Sequence, residues 1–488
     1  MDLLYGVIGV FLLAYYWVKR RYNFWNNRGF VSPKASFPFG SLGGVGSTIT
    51  SAEAFDNYYK TYKGKAAAVG VYFFLKPTIL PIDPELCKSI FVRDFSSFHE
   101  RGFYYNAKDD PLSANLLSIE GQVWRDRRTS LSPIFTSGKM KMMFDIILTL
   151  SHKLVDIIDN ELNSNHNFEM RSWAQRFTGD VIGNVAFGLD CKCLDDPDSI
   201  FLKHSRRLST PTELDLLKFL LSSSFPDLCR RLHFRSNPKE IATFFHTAFI
   251  DTMKYRTANH IDRNDFVSML LGLKDLFTTD ELAAESFIVY IGGFETSSTL
   301  ISFTMYELAL NTDVQERLRY EIKSGLDDNN GELTYEMLFG FRYLDMVVNE
   351  VMRKYPPIPN TFRKCNKDFP IPETNLVIPD GVLVNLNIFS FHRDPEYYPD
   401  PDKFDPERFT PENCKQRHPF TFMPFGEGPR NCIGSRFGLM QAKVAVVKLI
   451  ENYKISINNQ SPIPMKFEPS SPFLAPVGGM WLNLDKLY

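Results

Sequence analysis

The sequence predicts a mainly α-helical protein with small β-sheets, an α+β fold class, on three observations. From about Asp83 to Tyr355 apolar residues recur at spacings of three and four, as over 144–162, 240–255, 281–310 and 344–355. Between residues 66 and 82 the pattern changes: β-branched and aromatic residues (Val69, Val71, Tyr72, Phe73) stand between turn signals at Pro77 and Pro81, which predicts a hairpin region. After Pro356, Pro357 and Pro359, which stop the last long helix, come strand-like pieces at 376–378 and 382–385. A Pro- and charge-rich stretch over 394–411 and a helix over 441–453 complete the chain. The sheets are thus expected from both ends of the chain and the helices from its middle.

The elements in chain order begin with an uncharged run over 3–18, followed at once by Lys19, Arg20 and Arg21. The run is slightly short for a spanning helix, which needs roughly 20 apolar residues, but Tyr15, Tyr16 and Trp17 are the aromatics of a headgroup boundary. A cleaved signal would carry its positive charge before the apolar stretch, and here it comes after. Residues 1–21 are therefore expected to be an uncleaved transmembrane anchor, with Met1 across the membrane and the basic flank and the rest of the chain cytoplasmic. Residues 22–46, with Pro33, Pro38 and five glycines, read as a turn-rich linker. Residues 47–488 show no repeat, no low-complexity tract and no second linker, so they parse as one catalytic domain.

Composition narrows the function classes. Hydrophobic residues make up 44% and charged residues 23% of 488, ordinary globular values that exclude disordered and collagen-like chains. Fifty-five basic against fifty-seven acidic residues leave a net charge of −2, which offers no general grip on nucleic acid. Seven cysteines are too few, and odd in number, for a disulfide-stapled secreted scaffold. An aromatic content of 14% suits a large core or an apolar ligand cavity and does not separate the two.

The most informative stretch is Phe425-Gly-Glu-Gly-Pro-Arg-Asn-Cys432-Ile-Gly434. Two glycines and a proline before a cysteine specify a tight loop, and a helical run follows directly. Cys432 is then expected at or just before a helix N-terminus, where the dipole and unpaired N–H groups stabilise a thiolate. Gly426 and Gly428 are expected to let the backbone approach something flat and large, and Gly434 to let the chain turn into the helix. A lone thiolate is a poor zinc site and a good single axial ligand. His418 is the nearest rival ligand but lacks the glycine loop.

This stretch resembles, position for position, the haem-binding signature F-x-x-G-x-R-x-C-x-G of the cytochrome P450 monooxygenases. The resemblance implies the fold of that family, with haem between two long helices, and haem b held by the Cys432 thiolate, whose electron donation favours O–O cleavage. It implies that Phe425 packs near the sulfur and that Arg430 reaches a haem propionate. Glu350-Val-Met-Arg353 looks like the E-x-x-R of the helix before the prolines. Arg408 matches the residue that completes that network, a structural support for the haem loop. Gly292-Gly-Phe-Glu295-Thr296-Ser297 resembles the oxygen-activation motif, in which the acid and the hydroxyl form a proton relay; alone it would equally read as a glycine kink with a Ser/Thr cluster. Trp124 and Arg128 resemble the W-x-x-x-R pair beside a propionate, and Arg101 and Arg363 fall where the family places further propionate partners.

The similarity is closest to insect microsomal enzymes that handle plant toxins and insecticides, and includes the stretches over 104–113, 135–140 and 394–401. It implies insertion of one oxygen atom from O2 into a lipophilic small molecule, whether a xenobiotic or an endogenous lipid or hormone. NADPH would supply electrons through a separate NADPH–cytochrome P450 reductase, with cytochrome b5 as an additional partner, at the endoplasmic reticulum membrane. By family position the substrate pocket draws on Phe103, Tyr104, Phe294, Phe362, Phe473 and Leu474, and residues 209–234 line an entrance at the membrane. Arg125, Arg127, Lys139, Lys141 and Arg436 are candidates for the reductase face. Three other readings stand beside this one: a haem-thiolate isomerase or dehydratase acting without O2, a non-catalytic haem- or ligand-binding membrane protein, and a membrane-anchored interaction protein without haem.

Overall fold

A computed structural model describes residues 2–163 and 167–487. The helices that build the site are α1 (Asp2–Tyr22), α2 (Gly121–Leu131), α3 (Ser137–Leu162), α4 (Met170–Ala186), α5 (Ile200–Ser209), α6 (Glu213–Ser224), α7 (Thr279–Leu310), α8 (Arg342–Lys354) and α9 (Ser435–Asn452). The strands of the two larger sheets are β1 (Ala68–Phe73), β2 (Lys76–Pro81), β3 (Asn167–Glu169), β4 (Asn360–Lys364), β5 (Leu383–Asn387), β6 (Tyr453–Ile457) and β7 (Trp481–Lys486), and Phe369–Pro370 pairs with Val377–Ile378 in a separate two-stranded sheet.

Helix α7 is the axis of the molecule. Its 32 residues start at a capping box, in which the Thr278 hydroxyl accepts from the Glu281 N–H and the Glu281 carboxylate accepts from the Thr278 N–H. Apolar and small hydroxyl residues occur on every side, and from Phe294 to Ala309 nearly all of them are buried, as a helix enclosed by others requires. Some of the hydroxyls are satisfied within the helix: Ser302 donates to the Ser298 carbonyl at 2.6 Å and Thr304 to that of Leu300 at 2.7 Å. Helix α4 packs along one side and α9 along another.

The four-stranded sheet has the order β1-β2-β5-β4. β1 and β2 form the expected hairpin, with Val71 opposite Thr78. β5 joins β2 in parallel through Thr78 and Leu383, and β4 returns antiparallel with Arg363 opposite Val384. A three-stranded sheet, β3-β7-β6, gathers strands from the middle and the end of the chain. The expected strand pieces at 376–378 and 382–385 are present; β4, which carries Arg363, has no clean period-2 pattern, whereas the strands after α9 alternate over 453–457 and 482–485, a signal the sequence reading left unused. Residues 22–46 pack on the first sheet. Trp25 is fully buried, donates its indole N–H to the Val71 carbonyl at 2.9 Å and fills the space beside Gly70, where a Cβ would sit 2.3 Å from the indole.

Among the described residues no helix is long and apolar enough to cross a membrane. The spanning expectation for 1–21 is not met by those residues, and Met1 together with several α1 side chains lies outside them. What is described is a helix whose apolar side chains Leu4, Tyr5, Leu12, Leu13 and Trp17 are exposed.

Below the site a buried polar network ties three segments together. Arg353, one turn after Glu350 on α8, grips its carboxylate with two hydrogen bonds of 2.6 and 2.8 Å, and both side chains are fully buried. Arg353 also donates to the carbonyls of His392 and Lys403. The same Glu350 carboxylate accepts from the Asp405 N–H and lies 3.5 Å from Arg408, which donates to the Asp400 carbonyl. His392 extends the network: its Nδ1 faces the Met352 carbonyl at 3.2 Å and its Nε2 accepts the Met423 N–H at 2.9 Å, just before the cysteine loop. These partners require a neutral imidazole, and burial holds the His392 pKa down to about 3.

Two outcomes follow from this network. Glu350→Ala leaves the Arg353 guanidinium buried and unpaired and should cost about 3–5 kcal/mol in urea unfolding, whereas a surface control such as Glu316→Ala should change little. The His392 pKa is depressed on folding, so its share of stability is complete above the unfolded value of 6.5 and drains away as pH falls toward about 3. His392→Gln should flatten the pH dependence of the melting temperature in that window.

Candidate active site

The loop over 425–434 enters α9 through Gly434, which is its N-cap residue. The Cys432 N–H donates to the Phe425 carbonyl at 2.9 Å and closes the loop. Gly426 and Gly428 have φ of 67° and 72°, a left-handed conformation that side chains resist. They differ in surroundings. A Cβ on Gly428 would lie 1.9 Å from the Phe91 carbonyl oxygen, so this glycine serves a close backbone approach within the protein. A Cβ on Gly426 would meet nothing within 4 Å, so only this one faces open space as the sequence suggested for both. Gly434 has an ordinary φ of −92°, so the turn into the helix does not depend on glycine there.

Cys432 lies three residues before α9. Burial pushes its thiol pKa up, against the lowering effect of the Gly434 N–H and of the Arg101 and Arg128 charges. The expected helix-terminus stabilisation is thus present but outweighed by desolvation. Despite its depth the side chain keeps accessible surface. The two facts agree if Cys432 lines an opening inside the molecule rather than packed core. Phe425 and Ile433 flank it, packed against the main core.

Four arginines from four elements converge on this loop. Arg430 is buried, donates to the His99 carbonyl at 2.7 Å and the Ile119 carbonyl at 2.8 Å, and lies 4.0 Å over the Trp124 ring of α2. Arg101 donates to the Arg430 carbonyl at 2.7 Å and to the Thr361 hydroxyl at 3.2 Å. Arg363 of β4 is fully buried against Phe91. Arg128 of α2 binds Asn431 through its carbonyl and its side-chain oxygen. Among the described residues none of the four pairs with a carboxylate, and Arg430 Nη1 and Arg363 Nε have no partner. Burial and mutual repulsion hold the Arg430 pKa down to about 9, and burial holds Arg101 down to about 10. Unpaired buried cations with orphaned N–H groups fit a group that brings two carboxylates, as the propionates of a haem do.

Helix α7 presents two faces here. Thr296 donates to the Gly292 carbonyl at 2.5 Å, and a Cβ on Gly292 would meet nothing within 4 Å, so these two share an open face. Gly293 instead seats the Ile182 side chain of α4, 2.8 Å from where its Cβ would be. Its carbonyl and the Ser297 hydroxyl accept from Gln441 of α9 at 2.9 and 2.5 Å. Glu295 turns away from Thr296 and is fully buried against α4, where Arg171 reaches it at 2.5 Å and Gln175 at 3.0 Å. The motif therefore splits, with the hydroxyl on the open side and the acid in an ion pair.

The expected pocket residues divide likewise. Phe103 and Phe362 meet edge to face at 5.6 Å beside Arg101 and Arg363. Tyr104 points its hydroxyl to the Phe234 carbonyl at 2.9 Å. Phe294 is core: it stacks on Tyr290, and its carbonyl accepts from Thr178 of α4. Leu474 is also core, packed with Ala52 and Phe389, while Phe473 is half-buried. Arg127 leaves the proposed basic surface, since it is buried and paired with Glu281 and Glu285 of α7. His418 has both ring nitrogens engaged, with Glu85 and the Phe420 N–H, and is removed as a rival ligand. Sequence reasoning missed His392 and the Arg171–Gln175 partners of Glu295. Nothing in their local pattern marks them, because their partners arrive only on folding.

The comparisons agree with this geometry. The cytochrome P450 family model matches residues 32–482. The chain is 39% identical over 492 residues to the probable cytochrome P450 6a13 of Drosophila melanogaster, covering 100% of this chain and 99% of that one. It is 37% identical over 498 residues to the cytochrome P450 6A1 of Musca domestica, covering 99% and 98%, and 38% identical over 504 residues to the cytochrome P450 6a2 of Drosophila melanogaster, covering 99% of each. A cysteine loop without a second metal ligand, a cradle of unpaired arginines and these full-length likenesses place the chain in the cytochrome P450 family, whose members are haem-thiolate monooxygenases with haem b on a cysteine sulfur.

Proposed function

We propose that this enzyme inserts one oxygen atom from O2 into a lipophilic small molecule, with electrons drawn from NADPH through a separate NADPH–cytochrome P450 reductase. The observation that carries the reading is Cys432: deep, accessible and beside arginines that form no ion pair with a carboxylate among the described residues. Cys432 would ligate the iron, and Arg430, Arg101, Arg363, Arg128 and Trp124 would hold the propionates. When bound, the haem supplies the oxygen-activating and electron-transfer chemistry. The protein's own part is orientation and proton handling. Thr296 Oγ1, tied to the Gly292 carbonyl, holds a proton on the open face of α7. Glu295 can serve a relay only by leaving Arg171 or by passing a proton around the helix. Phe103 and Phe362 give the entrance an apolar wall that favours a lipophilic substrate.

The membrane reading rests on a shared apolar surface. Trp17 of α1 stacks on Phe225 at 6.5 Å, and Leu214, Leu217, Leu228 and Leu232 are exposed nearby in sequence. With the basic residues Lys19, Arg20 and Arg21 following the apolar run, this supports attachment to the cytoplasmic face of the endoplasmic reticulum. Arg125, Lys139 and Arg436 remain exposed as candidates for the reductase face.

The dithionite-reduced protein with carbon monoxide should show the strongly red-shifted Soret band of a thiolate-ligated haem, and Cys432→Ala should abolish it. A band at the position of a neutral ligand would reject Cys432 as the axial ligand. With reductase and NADPH present, Thr296→Ala should lower product formation by about 10²-fold and divert consumed NADPH to peroxide. Turnover that proceeds without O2 and reductase would favour the isomerase reading.

A further inference from the structure

Away from the cysteine loop, the surface opens into a recess of about 470 Å³ between the end of α4 and the helix Lys239–Ala258. Leu189, Ala248 and Ile261 give it an apolar floor. Two cations also line it, and both are already engaged. Arg256 is buried, lies against Gly188, where a Cβ would sit 1.9 Å from its Nη2, and grips both oxygens of buried Asp265 at 2.7 and 2.6 Å. Arg263 donates to the Gly188 carbonyl at 3.3 Å and to Asn184 Oδ1 at 2.8 Å, and its Nε lies 3.5 Å from the same Asp265 carboxylate. Asp251 differs: among the described residues its carboxylate makes no hydrogen bond and no ion pair. Tyr255, one turn on, is 63% exposed, and among the described residues its ring meets no other ring or cation. Thr252 also lines the recess, and its buried hydroxyl has no partner. Thr257 on the same helix bonds back to the Met253 carbonyl at 2.9 Å, the usual recourse of a helical threonine.

We propose that this recess is a binding site for a lipophilic amine in its ammonium form, separate from the opening beside Cys432. Its volume is that of a small-molecule site, and such sites join apolar walls to a few placed polar groups. The two guanidiniums direct their N–H groups at Asp265 and at neutral oxygens, so the charged group left to meet a ligand is Asp251. A carboxylate and an aromatic ring one helical turn apart hold an ammonium from two sides, the first by charge-assisted hydrogen bonds and the second through its negative face. Rotation about the Thr252 Cα–Cβ bond turns its unpartnered hydroxyl toward the recess, where it accepts a further ammonium N–H. An anion is repelled by Asp251, and a neutral molecule gains no charge attraction from it. Buried rings separate the recess from the open face of α7. Phe187 adjoins Gly188, Phe245 lies one turn before Ala248, and both pack on Tyr290 of α7 with centroids 5.4 and 5.0 Å away. The site does not depend on the function proposed above.

The test is equilibrium dialysis at pH 7 of 2-naphthylmethylamine against the full-length haem protein saturated with clotrimazole, an azole that occupies the haem iron. The neutral 2-naphthylmethanol and the anionic 2-naphthoate serve as isosteres. One equivalent of the amine should bind, and each isostere should bind about fivefold more weakly or less. Asp251→Asn, an exposed change of nearly the same shape, should weaken the amine by about fivefold, and Tyr255→Leu by about threefold. Ala248→Phe fills the recess and should abolish amine binding while clotrimazole still binds. Three results would each overturn the site: the alcohol binding as tightly as the amine, unchanged amine affinity in Asp251→Asn, or displacement of the amine by clotrimazole. A protein that carries no haem would refute the proposed function, while amine affinity in the unmodified protein and in Asp251→Asn would still judge the recess.

Discussion

The burial of several guanidinium charges side by side is the constraint around which the cysteine loop is arranged. Burial lowers the pKa of Arg101, Arg363 and Arg430, and the Arg101 charge lowers those of Arg363 and Arg430 further; what holds them is a set of backbone carbonyls from His99, Ile119, Phe362 and Glu427 together with the loop's own Arg430 carbonyl. Carbonyl dipoles offset only part of the cost of burying charge. The remainder is met when an anionic group arrives, so affinity for the cofactor and stability of the loop are coupled through linkage. The β4–β5 pairing, the Phe91–Gly428 contact and the seating of Arg430 over Trp124 all serve to keep these cations in register.

Beneath the loop the molecule is held by buried polar contacts. Below it, the Glu350–Arg353 pair reaches through His392 to the Met423 N–H, so a single buried network fixes where the loop begins. A network of that kind is expensive to break because each partner would be left unpaired in the interior.

The split of the α7 motif shows how one helix serves both ends. At 3.6 residues per turn, Gly292 and Thr296 share a face while Gly293 and Ser297 turn to α9 and α4, and Glu295 turns to Arg171. The glycine pair therefore has two functions that sequence proximity disguises. Gly293 allows helices to pack closely around Ile182 and Gln441, and Gly292 leaves the Thr296 side open.

By itself the sequence determined the helical class, the β1–β2 hairpin, the end of α8 at the prolines and the family, because each rests on local period, turn chemistry or an uninterrupted motif. Cys432, Arg430, Glu350 and Arg353 were legible for the same reason: their spacing is short and their context distinctive. Only the tertiary structure decided that Glu295 is bound to Arg171, that Phe294 and Leu474 are core, that Arg127 is paired inside and that His392 supports the loop. Each of those depends on which residue from a distant segment lies opposite. Burial, pairing and pKa are properties of that neighbourhood, and folding alone brings the neighbourhood together.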